Sequence, residues 1–108
     1  MHNQSMNNSL ILVVEDEPEI SAILVSYLEV AGFRTAQAAD GDIAYTLFRQ
    51  FSPDLILLDI KMPKRDGIDV LRDIRRVSNT PIIMLTAMSE DIEKISALRL
   101  GADDYILK

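Results

Sequence analysis

The chain has 108 residues, 48% of them hydrophobic and 26% charged, with a net charge of −6 and no cysteine. This describes one ordinary globular domain able to bury roughly 65% of its unfolded surface, and it excludes a disulfide framework or thiolate metal site. The acidity argues against direct contact with a nucleic-acid backbone, and no apolar run approaches the ~18 residues of a membrane span.

The opening residues "MHNQSMNNS" lack the apolar core of a signal peptide and read as a floppy arm over 1–9. Leu10 to Val14 is a buried strand. Ile20, Ile23, Leu24, Tyr27, Leu28 and Ala31 then follow the i, i+3, i+4 spacing of a helix. Asp16 or Glu17 can cap it, Pro18 suits its first position and Gly32 ends it. A less apolar strand, Phe33 to Ala38, belongs at a sheet edge. Asp40-Gly41 turns the chain into a helix carrying Ile43, Ala44, Leu47, Phe48 and Phe51, and Pro53 stops it.

Asp54 to Leu58 forms the third strand. The next helix runs from Gly67 to Val77 with Ile68, Leu71, Ile74 and Val77 inward. Pro81 to Thr86 is the fourth strand, Asp91 to Leu100 a fourth helix closed by Gly101, and Tyr105 to Leu107 a fifth strand before Lys108. Strands alternating with helices specify an α/β fold, a doubly wound parallel sheet. The weak second strand favours the flavodoxin-like order 2-1-3-4-5 over a Rossmann order of 3-2-1-4-5. The basic cluster of Lys64, Arg65, Arg72, Arg75 and Arg76 reads as a solvated helix face and loop.

In such a sheet ligands bind beyond the carboxyl ends of the strands. Glu15 and Asp16 follow the first strand, Asp59 the third, Thr86 the fourth and Lys108 the fifth. Three carboxylates on one rim repel one another unless a cation joins them. Oxygen donors without His or Cys select a hard cation, most simply Mg2+, which keeps waters and waits for a phosphate oxygen.

Along Leu10 to Lys108 the chain resembles the receiver domain of two-component response regulators. "VVEDE" (13–17), "DLILLDIKMPKRDG" (54–67), "IIMLTA" (82–87) and "GADDYILK" (101–108) carry the resemblance. "ALRLGADDYILK" is most similar to the OmpR/PhoB class, whose members place a winged-helix DNA-binding domain after the receiver. The resemblance implies that Asp59 accepts a phosphoryl group from a sensor histidine kinase. It implies Mg2+ ligation by Glu15, Asp16, Asp59 and the backbone carbonyl of Lys61, with Glu15 standing where the family more often has Asp. It also implies that Lys108 contacts a phosphoryl oxygen, that Thr86 is the switch hydroxyl and that Tyr105 moves inward with it. Ala87 leaves the phosphoryl group room, and Lys61 and Met88 stand where relatives tune acyl phosphate lifetime.

The family further implies a homodimer through the fourth helix, fifth strand and fifth helix. Ile95 and Leu98 would be the apolar part of that surface, and Lys94, Asp103 and Asp104 its charged rim. The chain is then a cytoplasmic signalling switch rather than a metabolic enzyme. It is expected to meet DNA only through a C-terminal output domain, and to touch no membrane. Gly67 is expected to supply a positive φ after the nucleophile.

Relatives continue past the lysine into a fifth helix. Its absence is expected to leave Val13 or Ile106 partly bare, so the sequence reads as a fragment or as a chain whose patch another chain fills. Two rivals are weighed. A haloacid-dehalogenase-type phosphatase wants a second Asp where Lys61 stands. A pseudo-receiver that never takes phosphate is at odds with the retention of Glu15, Asp16, Asp59, Thr86 and Lys108. A nucleotide or flavin site lacks its Gly-rich loop.

Overall fold

The structure, a computed structural model, describes residues 8–62, 66–86 and 101–107. The fourth helix expected over 91–100, with Lys94, Ile95 and Leu98, lies outside the described residues, as do Lys64, Arg65, Ala87, Met88 and Lys108. Five parallel strands form one sheet in the order β2-β1-β3-β4-β5. They are β1 (Leu10–Val14), β2 (Arg34–Ala38), β3 (Leu55–Asp59), β4 (Ile82–Thr86) and β5 (Asp104–Leu107), and the described helices are α1 (Pro18–Val30), α2 (Gly41–Phe51) and α3 (Gly67–Arg75). This is the flavodoxin-like order, with β2 and β5 at the edges.

Alternation along the central strands splits their side chains between two cores. Leu12, Val14, Ile56, Leu58, Ile82 and Met84 meet Ala44 and Phe48 of α2 and Ile68, Leu71 and Ile74 of α3. On the other face Ile11, Val13, Leu57 and Leu85 pack under Leu24, Val25 and Leu28 of α1. A strand covered on both sides must be apolar at every position, which is why β3 reads as an unbroken aliphatic run. Its strand conformation extends to Asp59 itself.

The helices begin where side-chain chemistry can satisfy their first amides. Asp40 Oδ1 accepts from the Ile43 amide at 2.9 Å, and Asp66 Oδ1 accepts from Ile68 at 2.9 Å and Asp69 at 3.2 Å. Helix α1 has no side-chain cap, but Pro18 stands in its first turn, where no amide donor is needed. Gly32, at φ 98, turns the chain out of α1. Of the arm expected over 1–9, Asn8 and Ser9 are described, and their carbonyls accept from Arg34 Nε at 2.9 Å and the Arg34 amide at 3.0 Å.

The apolar positions of the helices divide between core and solvent. Ile23 and Tyr27 are 56% and 74% exposed, and Ala31 is exposed too. The inward stripe of α1 is buried Ser21 with partly buried Leu24, Val25 and Leu28, and Ser21 donates to Gln37 Oε1 at 2.9 Å. Ile43 and Phe51 lie on the exposed flanks of α2. Val77 is exposed because α3 stops at Arg75, in a turn where the Val77 and Ser78 amides both donate to the Ile74 carbonyl. Val13 is fully buried on the α1 face of the sheet, whereas Ile106 is about half exposed on edge strand β5. No described helix is long and apolar enough to cross a membrane.

Candidate functional site

Parallel register decides which residues meet at the carboxyl rim. Val14 pairs with Leu58, so the next residue on each strand brings Glu15 level with Asp59. Asp59 pairs in turn with Leu85, and Thr86 with Leu107 one step further on. Glu15, Asp59 and Thr86 are all buried, at 2%, 3% and 1% exposure. A buried carboxylate is costly unless hydrogen-bonded or paired, and among the described residues no buried side-chain polar atom lacks a partner.

The loop after β1 is shaped by its own backbone. The Glu15 amide donates to the Ala38 carbonyl at 3.1 Å, one step beyond the β1–β2 ladder, and Glu15 Oε2 accepts from the Glu17 amide at 3.1 Å. These bonds fold the loop so that Glu15, Asp16 and Glu17 bring carboxylate oxygens within 4.8 Å of one another. The three step from buried through half-buried to exposed. Glu17 was readable in "VVEDE" only as a helix cap, because a linear motif does not show that the turn folds three successive acids together. Asp59 stands outside this close group. An all-oxygen set fits a hard divalent cation such as Mg2+.

Asp59 itself is held by local bonds. Its Oδ1 accepts from the Ile60 amide at 2.8 Å, an amide that also reaches the Leu85 carbonyl at 3.3 Å. The start of α3 closes over the same stretch, with the Gly67 amide donating to the Ile60 carbonyl at 2.7 Å. Gly67 does not have the positive φ expected of it, which among glycines is found at Gly32 and Gly101. Its role is steric: a methyl on its α-carbon would overlap the Asp59 carbonyl oxygen and come within 2.9 Å of the Asp59 carbonyl carbon and the Ile60 α-carbon.

Alternation puts Asp59 on the face of Leu57, the α1 side, and Thr86 on the face of Met84. Tyr105 pairs with Met84 and packs half-buried against that same core, so Thr86 and Tyr105 share a face. Lys61 is exposed on the loop after Asp59. Asp104 is exposed, its Oδ1 accepting from the Tyr105 amide at 2.8 Å. Asp103 is engaged by Arg75 Nη2 at 2.9 Å and by the Ile82 amide at 2.8 Å. Arg75 therefore departs from the solvated reading of the basic cluster, which Arg72 and Arg76 keep in exposed pairs with Asp69 and Asp73. A depression of about 210 Å³ flanks the acids, lined by Glu15, Asp16, Pro18, Ser21, Gln37 and Ala39.

The family described as the response regulator receiver domain matches residues 11–108. The transcriptional regulatory protein BaeR of Escherichia coli is 45% identical over 102 residues, covering 94% of this chain and 42% of BaeR. The DNA-binding response regulator MtrA of Mycolicibacterium smegmatis is 45% identical over 98 residues, covering 91% of this chain and 43% of MtrA. The chain thus spans less than half the length of these relatives. Among solved structures, the response regulator TrrA of Thermotoga maritima, in complex with Mg2+ and beryllofluoride, superimposes with a TM-score of 0.85 at 37% identity, covering 93% of this chain and 86% of that one.

Proposed function

Since the chain belongs to the response regulator receiver domain family, we propose that it takes a phosphoryl group onto Asp59 and changes conformation to control an output domain. The observation that carries this reading is the burial of Asp59 at the end of the central strand, level with Glu15, itself a member of a close group of acids. A carboxylate so placed is rigidly aimed, and the bond from the Ile60 amide to Oδ1 fixes its orientation.

In the transfer, an Asp59 oxygen forms a bond to phosphorus as the phosphorus–nitrogen bond of a donor phosphohistidine breaks. The phosphoryl group leaves the imidazole of a sensor histidine kinase and becomes a mixed anhydride with the Asp59 carboxyl. Mg2+ held by Glu15, Asp16, Asp59 and the Lys61 carbonyl would offset the charge that spreads over the transferred oxygens. Lys108 supplies a second positive charge there. Thr86, buried on the opposite face of the sheet edge, hydrogen-bonds the new phosphoryl group after turning toward it, and the space it vacates admits Tyr105 from the same face. The result is a two-state element biased by one covalent group.

BaeR and MtrA are named as transcriptional and DNA-binding regulators, which supports an output domain of the OmpR/PhoB kind acting on DNA in the cytoplasm. Phosphorylation would then pair two receivers through the surface of Lys94, Ile95, Leu98, Asp103 and Asp104. The phosphatase rival gains nothing from the site, since Lys61 stands where its second Asp is required. Borohydride reduction of the phosphorylated chain, followed by peptide mapping, tests the assignment. Reduction of an acyl phosphate at Asp59 alone supports it, and a modified site elsewhere rejects it.

A further inference from the structure

Strand β5 is four residues long and lies at the sheet edge, where among the described residues it pairs with β4 alone. Backbone pairing cannot choose among registers, because every amide and carbonyl of a strand offers the same bond. A slip of one residue turns each side chain to the other face and moves the strand by about 3.3 Å. Burial of the strand's own side chains discriminates weakly here, with Tyr105 half-buried and Ile106 half-exposed. Some other contact has to hold the register.

Arg75, the last residue of α3, has the geometry for this. Its Nη1 donates to the carbonyls of Thr80 at 2.8 Å and Ser78 at 3.3 Å, in the turn leading to β4. Its Nε donates to the Gly101 carbonyl at 2.9 Å and its Nη2 to Asp103 Oδ2 at 2.9 Å, in the turn leading to β5. Asp103 completes the clasp: Oδ2 also accepts the Ile82 amide, and its own amide donates to the Ile82 carbonyl at 2.9 Å. The chain passes directly over the guanidinium at Gly101, where φ is 86 and a methyl would come within 3.3 Å of Nε.

An exposed ion pair contributes little, but this one differs in two respects. The Arg75 side chain is only 17% exposed. Three of its four acceptors are backbone carbonyls, so what it grips is the chain path itself. Only a planar fork with several fixed donors reaches all four, and a lysine ammonium cannot.

We propose that Arg75 is a positioning residue for phosphoryl transfer, acting through β5: with Asp103 it fixes the register of β5 on β4, and so the reach of the residue after Leu107, Lys108. The consequence for transfer rests on the role given to Lys108 above; the register lock does not.

Two measurements on Arg75→Ala, Arg75→Lys and Asp103→Asn test this. In Arg75→Ala, amide hydrogen exchange at Tyr105, Ile106 and Leu107 rises about tenfold or more while β1 and β3 keep their protection. Phosphorylation from acetyl phosphate slows about tenfold at saturating Mg2+, with the Mg2+ half-saturation point within about twofold of wild type. Arg75→Lys recovers only part of each loss. In a Lys108→Ala background Arg75→Ala slows transfer no further, because both act through one group.

Unchanged β5 exchange in Arg75→Ala overturns the register lock, and a rate loss of equal size with and without Lys108 overturns the route through it. If Arg75→Ala does not fold, Asp103→Asn answers both questions, since it removes the charge and keeps an acceptor for Ile82. A wild-type chain that takes no phosphoryl group sinks the proposed function instead, and β5 exchange alone then decides the lock.

Discussion

Gly67 rests so closely on Asp59 that the first turn of α3 has no room for a side chain against the Asp59 carbonyl. The helix and the end of the central strand are thereby one rigid unit, tied by the bond from the Gly67 amide to the Ile60 carbonyl. Helix propensity alone favours alanine over glycine by about 1 kcal/mol. Overlap with backbone atoms costs about 1–3 kcal/mol and cannot be relieved by a rotamer change. Gly67→Ala is therefore expected to lower stability in urea unfolding, despite its better propensity, and to slow phosphorylation by displacing Asp59. A stabilised variant would show that α3 can shift freely away from β3.

Asp66 caps α3 through two amides. Replacing it with alanine is expected to cost about 1 kcal/mol of unfolding free energy, and Asp66→Asn, which keeps an accepting oxygen, far less. Chemical denaturation of the pair separates the cap from general surface effects.

The close group of Glu15, Asp16 and Glu17 predicts how the domain responds to cations. Mg2+ at about one hundred times its dissociation constant should raise stability by about 2.7 kcal/mol, with EDTA removing the gain. Asp16→Asn is expected to weaken Mg2+ binding by about tenfold or more, while raising the stability of the metal-free protein by relieving like-charge repulsion. Glu17→Gln, at the exposed end of the group, should change affinity by no more than about threefold. Isothermal titration with Mg2+ reads the affinities, and urea unfolding with Mg2+ and with EDTA reads the stabilities. Equal loss in Glu17→Gln and Asp16→Asn would make Glu17 a ligand in its own right.

Thr86 is buried on the Tyr105 face of the sheet. Thr86→Ala should lose about 1 kcal/mol of stability for its missing hydrogen bond, yet accept the phosphoryl group at a rate within about threefold of wild type. What it should lose is the response: the aromatic resonances of Tyr105 shift on phosphorylation in wild type and stay in place in the variant. A full Tyr105 shift in Thr86→Ala would separate the two residues.

The strand order and the rim were legible because both follow from unbroken aliphatic runs ending in charge, such as Leu55 to Asp59. Helix faces were less so. Ser21 is polar, so apolar periodicity does not mark it as inward, yet it turns in with its bond to Gln37 while Ile23 and Tyr27 face out. The contribution of Gly67 could not be read either, since a close approach between residues eight apart depends on how the intervening loop folds. Arg75 looks like its neighbours Arg72 and Arg76 in the sequence, and only the convergence of two distant turns distinguishes it. Periodicity reports burial of apolar groups; polar side chains that satisfy backbone leave no such trace.

Phosphoryl transfer to Asp59 is tested by the intact mass of the chain after incubation with acetyl phosphate and Mg2+. One phosphoryl adduct is expected, absent when Mg2+ is chelated and absent in Asp59→Asn. No adduct on the wild-type chain, or an adduct undiminished in Asp59→Asn, would contradict it.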